Sequence, residues 1–445
     1  MKRRIFLSES SKMLGGAALV SVLPSRIFGK TTTVAPSDKI RVGAIGCKGM
    51  GSSDINSMLK LPEVDIVALC DVDDSVLRNR NSDLKKANRK EVPTFKDFRK
   101  LLENKDIDAV IIATPDHWHA LPMIAACQAG KDVYVEKPVG RTIEECNAML
   151  AAARKYERVV QVGQWQRSHQ HWQDAIDFVQ SGKLGKIRLV KTWAYQGWMK
   201  TLTAKPDTAV PKGVDYDMWL GPAPKRPFNE NRFHFNFRWY WDYAGGLMTD
   251  WGVHIIDMGL AGMKAQGPKS VMSSGGLFQS AENVMETPDT LQAIYEFDGY
   301  TMIWEHANGI DGGPYGRDHG VAFIGNNGTL VVDRGGWEVI AEKDRTSWAE
   351  TKGMKMEAVP LIKSVGSGLD FHTRNFIDCM KSRAKPNCDI AIAQNTALNA
   401  SLGNIAFRSN RKIFWDAAKQ EIINDKDAQL LTLANYQNGW ALPKI

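Results

Sequence analysis

Between residues 40 and 71 an apolar segment, IRVGAIG (40–46), enters a turn with glycine at 46, 49 and 51, and a second apolar segment, VDIVALCD (64–71), ends on acid. No other stretch limits the fold as tightly. A short apolar run that stops at clustered glycines reads as a strand entering a turn where the backbone must pass close to something. The pattern behind it predicts a helix from Ser52 to Leu61. DAVIIATP (108–115) and DVYVEKP (132–138) repeat the strand pattern, with helical periodicity between them. Strands and helices alternating at this spacing form a parallel sheet covered on both faces. Ligands of such sheets sit beyond the carboxyl ends of the strands.

The turn GAIGCKGMG (43–51) has the chemistry of a dinucleotide cradle. Such a cradle needs one glycine for a tight turn, one for close phosphate approach and one for helix–strand packing. Gly46 and Gly51 fill the first and third places, Lys48 stands in the middle one, and Gly49 and Met50 complete the entry to the helix. Asp71 closes the second strand, where a carboxylate accepts from both ribose hydroxyls. Val72 follows it, with no arginine for a 2′-phosphate, so NAD is expected rather than NADP.

VYVEKPVGR (133–141) is an odd end for a buried strand, because Glu136 and Lys137 need something polar beside them. Further on, GGLMTDWGVHIID (245–257) places Asp250 and His254 four apart on a predicted helix, hence on one face, with Asp257 three residues later. Oxidising an alcohol requires a base for the hydroxyl proton as hydride leaves carbon. A histidine suits the base, a lysine stabilises alkoxide character, and Asp250 would orient the imidazole or hold a neighbouring hydroxyl. Asp257 would brace the ring or cap the helix.

GCKGMG, ATPDHWH (113–119), GKDVYVEKP (130–138) and GGLMTDWGVHIID occur in that order. Together they resemble the glucose–fructose oxidoreductase, inositol dehydrogenase and rhizopine-catabolism (Gfo/Idh/MocA) family over essentially the whole chain after its first residues. The resemblance implies an N-terminal Rossmann domain with a doubly wound parallel sheet, a C-terminal α/β domain with a large open sheet, and redox chemistry on sugars or polyols. It assigns Thr114, Pro115, His119, Glu136, Lys137 and Gln164 to the cofactor. It assigns catalysis to Lys137, Asp250 and His254. Lys48 departs from the family's middle glycine, which bears on the pyrophosphate contacts.

From about residue 160 the apolar pattern changes to period two, so the second sheet is expected to be open and mostly antiparallel. Its strand candidates are RVVQVGQWQRS (158–168), KIRLVKTWAYQGW (186–198), TLQAIYEFDG (290–299), YTMIWEHA (300–307), GVAFIGNNGTLVVDR (320–334) and WEVIAE (337–342), with helices at 371–380 and 395–406. The expected domains are a leader at 1–35, the NAD domain at 36–158 and a substrate and dimerisation domain at 159–445. Eight of the fourteen tryptophans fall between Trp165 and Trp251, and RFHFNFRWYWDYAGG (232–246) packs aromatics beside arginines. Aromatic planes take the C–H faces of sugar rings, which makes Trp165, Arg167, Tyr195, Arg238, Tyr240 and Asp250 candidates for substrate contact. Tyr195, Tyr240 and Tyr243 are candidate general acids. His169 and His171 have no third ligand at suitable spacing, so no metal is expected, and they read as polar pocket or surface residues.

Of the formal charge of +7, +5 lies in residues 1–30; the rest has no basic stripe and gives no reason to expect a nucleic-acid partner. That leader pairs Arg3 and Arg4 with Phe6 and Leu7 ahead of an apolar stretch too short to span a membrane, and resembles a twin-arginine signal. Periplasmic export through the twin-arginine machinery follows as an expectation, with cleavage near Thr33-Val34-Ala35 or retention as an uncleaved tether. The six cysteines form no CxxC pair and are expected as thiols. The resulting expectation is an exported enzyme moving hydride between a sugar, glycoside or polyol hydroxyl and tightly held NAD, as a homo-oligomer through the open sheet. A redox-assisted glycosidase or lyase that regenerates NAD each turnover is the alternative, and a non-catalytic sugar sensor a third reading.

Overall fold

The computed structural model describes residues 38–445, and the expected leader, its twin arginine and its cleavage point lie outside them. The first domain is a parallel sheet of β1 (Ile40–Ile45), β2 (Val64–Cys70), β3 (Thr94–Phe95), β4 (Ala109–Ile112), β5 (Asp132–Val135) and β6 (Val160–Val162). Their spatial order is β3-β2-β1-β4-β5-β6. The chain reverses direction across the sheet between β1 and β4, which opens a crevice at their carboxyl ends. β4 and β5 are buried at every position because helices cover both faces. The helix after β1 is Met50–Met58, two residues earlier than the expected start. The parallel sheet also extends past the expected boundary at 158. The strand expected at 158–168 forms as β6, but it is only three residues long and pairs parallel with β5, so it closes the first sheet and is no part of the second.

The second sheet has ten strands: β7 (Ile187–Gln196), β8 (Ser270–Gly276), β9 (Thr290–Phe297), β10 (Tyr300–Asn308), β11 (His319–Gly325), β12 (Gly328–Asp333), β13 (Gly336–Ala341), β16 (Val359–Lys363), β17 (Ile413–Asp416) and β18 (Glu421–Ile422). Two short strands, β14 (Lys343–Arg345) and β15 (Thr351–Met354), form a separate hairpin. The order is β16-β13-β12-β11-β7-β10-β9-β8-β17-β18, and among these pairs only β7–β10 runs parallel. β9 alternates buried and exposed residues along its length, as period-two patterning requires. The long segment expected at 320–334 is a hairpin turning at Asn326-Asn327. β8, β16 and β17 carry no alternation strong enough to announce them. Helices Gln170–Gln180, Gly252–Met263 and Ile390–Ser409 pack on one face around a core that includes Trp172, Trp304 and Phe323. Leu189, Met272, Ile294 and Ile340 remain exposed on strands of this sheet.

A long connection, residues 197–245, leaves β7 and crosses back over the first domain. Asp74 N–H donates to Gly213 O at 3.1 Å, Asp215 N–H to Val72 O at 2.9 Å, and Asp73 and Val214 form an antiparallel bridge. Trp118 Nε1–H donates to Trp219 O at 3.0 Å. This strap therefore covers the carboxyl edge of the sheet, where the crevice opens.

Candidate active site

The cleft under the strap is lined from both domains. Gly46, Lys48, Gly49, Met50 and Asp71 form one end, Thr114, Pro115, Asp116 and His119 the middle, and Glu136, Lys137, Arg238 and Asp250 the other end. The glycine turn fits a pyrophosphate. Gly46 holds φ +82°, and a Cβ there would meet the Ala113–Thr114 backbone at 2.6 Å. A Cβ on Gly51 would stand 2.0 Å from Gly46 O. The helix that follows has no side-chain cap and no acid in its first turn, so its N–H groups are left for an anion. Lys48 is exposed at the cleft, a cation where the usual glycine gives only backbone. Asp71 is anchored by Cys47 N–H at 2.8 Å and Asp73 N–H at 3.1 Å. Burial raises its carboxyl, against those two bonds.

His119 ties the middle together: its Nε2 is 2.8 Å from Thr114 O and its Nδ1 2.7 Å from Pro138 O. It joins the ends of β4 and β5 and acts as a brace beside the cofactor path. Glu136 lines the cleft, but its carboxyl turns from Lys137 toward Gly163, where an added Cβ would meet Oε1 at 2.1 Å. Burial raises this carboxyl, and burial together with Glu136 raises Asp54 on the neighbouring helix. The two consecutive residues EK therefore face opposite ways, as a strand end dictates.

Lys137 Nζ donates to Asp250 Oδ1 at 2.6 Å and to Asp250 O at 3.2 Å, a contact between residues 113 apart. Arg238 Nε lies 3.5 Å from Asp250 Oδ2. Burial would raise the Asp250 carboxyl, but Lys137 and Arg238 outweigh it and hold the group at about 2. Asp116 beside them behaves oppositely: burial and the Asp250 charge push it to about 8 despite Lys137 and Arg238. The neighbouring Asp116 and Asp250 are thus pushed in opposite directions, Asp116 toward the acid and Asp250 toward the carboxylate.

His254 is buried behind this cluster, and its Nδ1 has no partner. Burial, then Lys137, Arg334, His319 and His372, hold the imidazole well below its ordinary value, so it is neutral. The expected Asp250–His254 helix face is not formed as such. The helix Gly246–Asp250 ends before Trp251, and His254 lies in the first turn of the next helix. Asp250 orients Lys137, not the imidazole, because the lysine charge is the stronger partner for a buried carboxylate. Asp257 does not brace His254 either. It takes Arg167 Nη2 at 2.6 Å and Nε at 2.8 Å, and Thr396 Oγ1 at 2.9 Å.

That ion pair removes Arg167 from the candidate substrate contacts. Tyr195 is also elsewhere: it shares a strand face with Trp193, away from the Val190 and Ala194 side that meets the helices, and its hydroxyl reaches Glu305 at 3.4 Å. Tyr240 and Tyr243 are buried in the strap's own core and line no part of the cleft, so neither is placed as its general acid. Gln164 lies off the cleft wall, donating from Nε2 to Val253 O at 3.0 Å and accepting from Cys388 Sγ at 3.2 Å. His169 and His171 are a buried pair joined Nδ1 to Nδ1 at 2.7 Å, not surface residues. Trp165 does reach the site, with its ring 6.2 Å from that of His254.

Two residues went unread in the sequence. Asp116 sits inside ATPDHWH, where the histidines draw attention. Arg334, at the end of the β12 hairpin strand, is clamped between Trp165 and Trp251, with its guanidinium 4.5 Å and 4.3 Å from the ring centres. Its Nε is buried without a partner, and burial lowers the group to about 10. Stacking on aromatic rings leaves a guanidinium edge free to donate.

The fold and the cleft are those of a two-domain, dinucleotide-binding protein. Residues 40–164 match the oxidoreductase family described as NAD-binding Rossmann fold, and residues 161–305 match that family's C-terminal alpha/beta domain. The chain belongs to the Gfo/Idh/MocA oxidoreductase family, and its first domain is the NAD-binding one. It is 34% identical over 145 residues to a glycosyl hydrolase family 109 protein of Shewanella sp. strain W3-18-1, covering 31% of this chain and 32% of that protein. The chain thus spans about a third of the length of the curated relatives it matches. Among solved structures it resembles the WlbA dehydrogenase of Bordetella pertussis in complex with NADH and UDP-GlcNAcA, at 17% identity and TM-score 0.61 over 85% of this chain and 99% of that one. It also resembles levoglucosan dehydrogenase in complex with NADH and levoglucosan, at 19% identity and TM-score 0.62 over 84% and 99%. At these identities the two structures speak for the fold.

Proposed function

We propose that this protein is an exported NAD-dependent dehydrogenase that oxidises a sugar or glycoside hydroxyl and holds its cofactor between turnovers. The observation that carries the reading is Lys137, fixed by Asp250 at the end of the cleft that begins with the dinucleotide turn. Bound nicotinamide supplies the hydride acceptor. Lys137 donates a hydrogen bond to the reacting oxygen and stabilises its developing charge. His254, neutral, takes the hydroxyl proton. Lys137 and Arg334 beside it disfavour a proton kept there. Arg238 and Arg334 offer donors for neighbouring hydroxyls, and Trp165 and Trp251 offer apolar faces. The strap over the cleft supports slow cofactor release, with one sugar oxidised and another reduced on the same nucleotide. The exposed apolar residues of the ten-stranded sheet support a homo-oligomer formed through that face. Arg3-Arg4 with Phe6-Leu7 supports twin-arginine export to the periplasm; replacing both arginines by lysine is expected to leave folded protein in the cytoplasm.

A second reading, a glycosidase that oxidises, eliminates and reduces back, gains from Asp116. A carboxyl that is protonated near neutrality beside Lys137 is the acid a leaving glycosidic oxygen needs. The likeness to the family 109 hydrolase supports it too. Mass spectrometry of a glycoside panel after incubation separates the two: a product lighter by two hydrogens means oxidation, and released aglycone means cleavage. Neither product from any glycoside, with NAD bound, would sink both.

A further inference from the structure

A second cleft, of about 240 Å³, lies between the strap and the helix Ile390–Ser409, away from the cofactor. Its wall contains Arg141 and Arg408, with Thr142, Ser401 and Asn404 around them and Trp241 at one side. Arg141 Nη1 donates to Trp241 O at 3.3 Å, while its Nε is buried with no partner. Arg408 stacks on the Trp241 ring, 4.9 Å from its centre. Among the described residues neither guanidinium has a carboxylate within ion-pair distance. One acid, Asp242, shares the cleft wall and is paired with Arg226, while Glu286 accepts from Trp241 N–H at 2.9 Å and Glu145 from the N–H groups of Arg141 and Thr142 at 2.7 and 2.9 Å. The two arginines also repel each other; burial and then Arg141 lower Arg408 from its ordinary value.

Arg141, half-buried with an unpartnered Nε, and Arg408, more exposed and only partly offset by Asp242 and Glu286, leave donors at the wall of a polar cleft that an anion would join. A bare inorganic anion would leave one group unserved. Asn404 donates from Nδ2 to Gly245 O at 2.8 Å, and its Oδ1 is buried with no partner, so it needs a donor from the ligand. Ser401 and Thr142 add hydroxyls that serve either role. We propose that this cleft binds an anionic sugar, with its carboxylate or ester oxyanion between Arg141 and Arg408 and a hydroxyl donating to Asn404. The site is separate from the redox cleft but not isolated from it. Thr249 lines this cleft, and Asp250, the next residue, lines the other, both on the helix Gly246–Asp250.

The test is thermal unfolding and calorimetric titration of the NAD-loaded full chain with glucuronate, glucose 6-phosphate, glucose and inorganic phosphate at matched ionic strength. One or both anionic sugars should raise the unfolding temperature more than glucose or phosphate, and which one does so identifies the oxyanion. Arg408→Gln should weaken that binding roughly tenfold or more, as loss of a charged hydrogen bond does, with NAD still bound. Arg141→Lys, which keeps the charge and loses the fork, should weaken it less and serves if the first variant does not fold. Inorganic phosphate binding as well as the sugars would overturn the proposal. So would no binding at all, or unchanged affinity in both variants.

Discussion

The two ends of the cofactor cleft are built by different means. The dinucleotide end is backbone: a glycine turn, a helix N-terminus and one anchored aspartate, all from within residues 46–71. The chemical end is side chain: Lys137, Asp116, Arg238, Asp250, His254 and Arg334 come from separate segments and constrain one another by charge. The first can be altered one contact at a time. In the second each charge sets the state of the others, so a single change spreads.

The sharpest way to break this contrast is at its largest effect. His254→Ala and Lys137→Ala should each lower single-turnover reduction of bound NAD by about 10²–10⁴-fold while NAD stays bound. The double variant should lose less than the product, because both groups act on one hydroxyl. A wild-type rate in Lys137→Ala would falsify the catalytic reading of EKP. Next comes Arg167→Ala, which strands the buried Asp257 carboxylate. It should cost about 3–5 kcal/mol in chemical denaturation and leave NAD affinity of the folded protein unchanged; a loss confined to sugar affinity would return Arg167 to the substrate. At the backbone end, Asp71→Ala should weaken NAD by about 1.5–3 kcal/mol per ribose bond lost, with the rate from bound NAD retained. Calorimetry reads the first and rapid mixing the second.

The smallest effect is on pH. Asp116, at about 8, and Glu136, raised by burial, bind protons more tightly folded than unfolded. Their contribution to stability is therefore full below about pH 4 and is lost as pH rises toward 8. Asp116→Asn should flatten that part of the stability profile. An unchanged slope would mean that Asp116 is ionised at neutral pH and unsuited to be an acid.

The same contrast explains what was legible beforehand. The turn, Asp71 and the strand alternation were readable because their function is local in sequence, and local periodicity reports it. Lys137, Asp250 and His254 were readable as residues, but their pairing was not. A helical spacing of four put Asp250 on the imidazole, whereas the folded chain gives it a lysine from another domain. Arg334 left no signal, since its aromatic clamp is assembled only when the second sheet closes on the 3₁₀ turn Trp165–Ser168. Tyr195 failed for a simpler reason: strand residues alternate faces, and it fell on the outer one.

The strap has a kinetic consequence. It bonds to Val72 and Asp74 and bridges Asp73, the residues just after Asp71, so the adenosine end of the cleft opens only when those contacts part. His234 of the strap, 3.1 Å from Asp73, adds another. Sugars need only the far end. Successive sugars would then meet one resident nucleotide alternately oxidised and reduced, and initial rates against two sugars would plot as parallel double-reciprocal lines. Intersecting lines would mean that the strap opens every cycle.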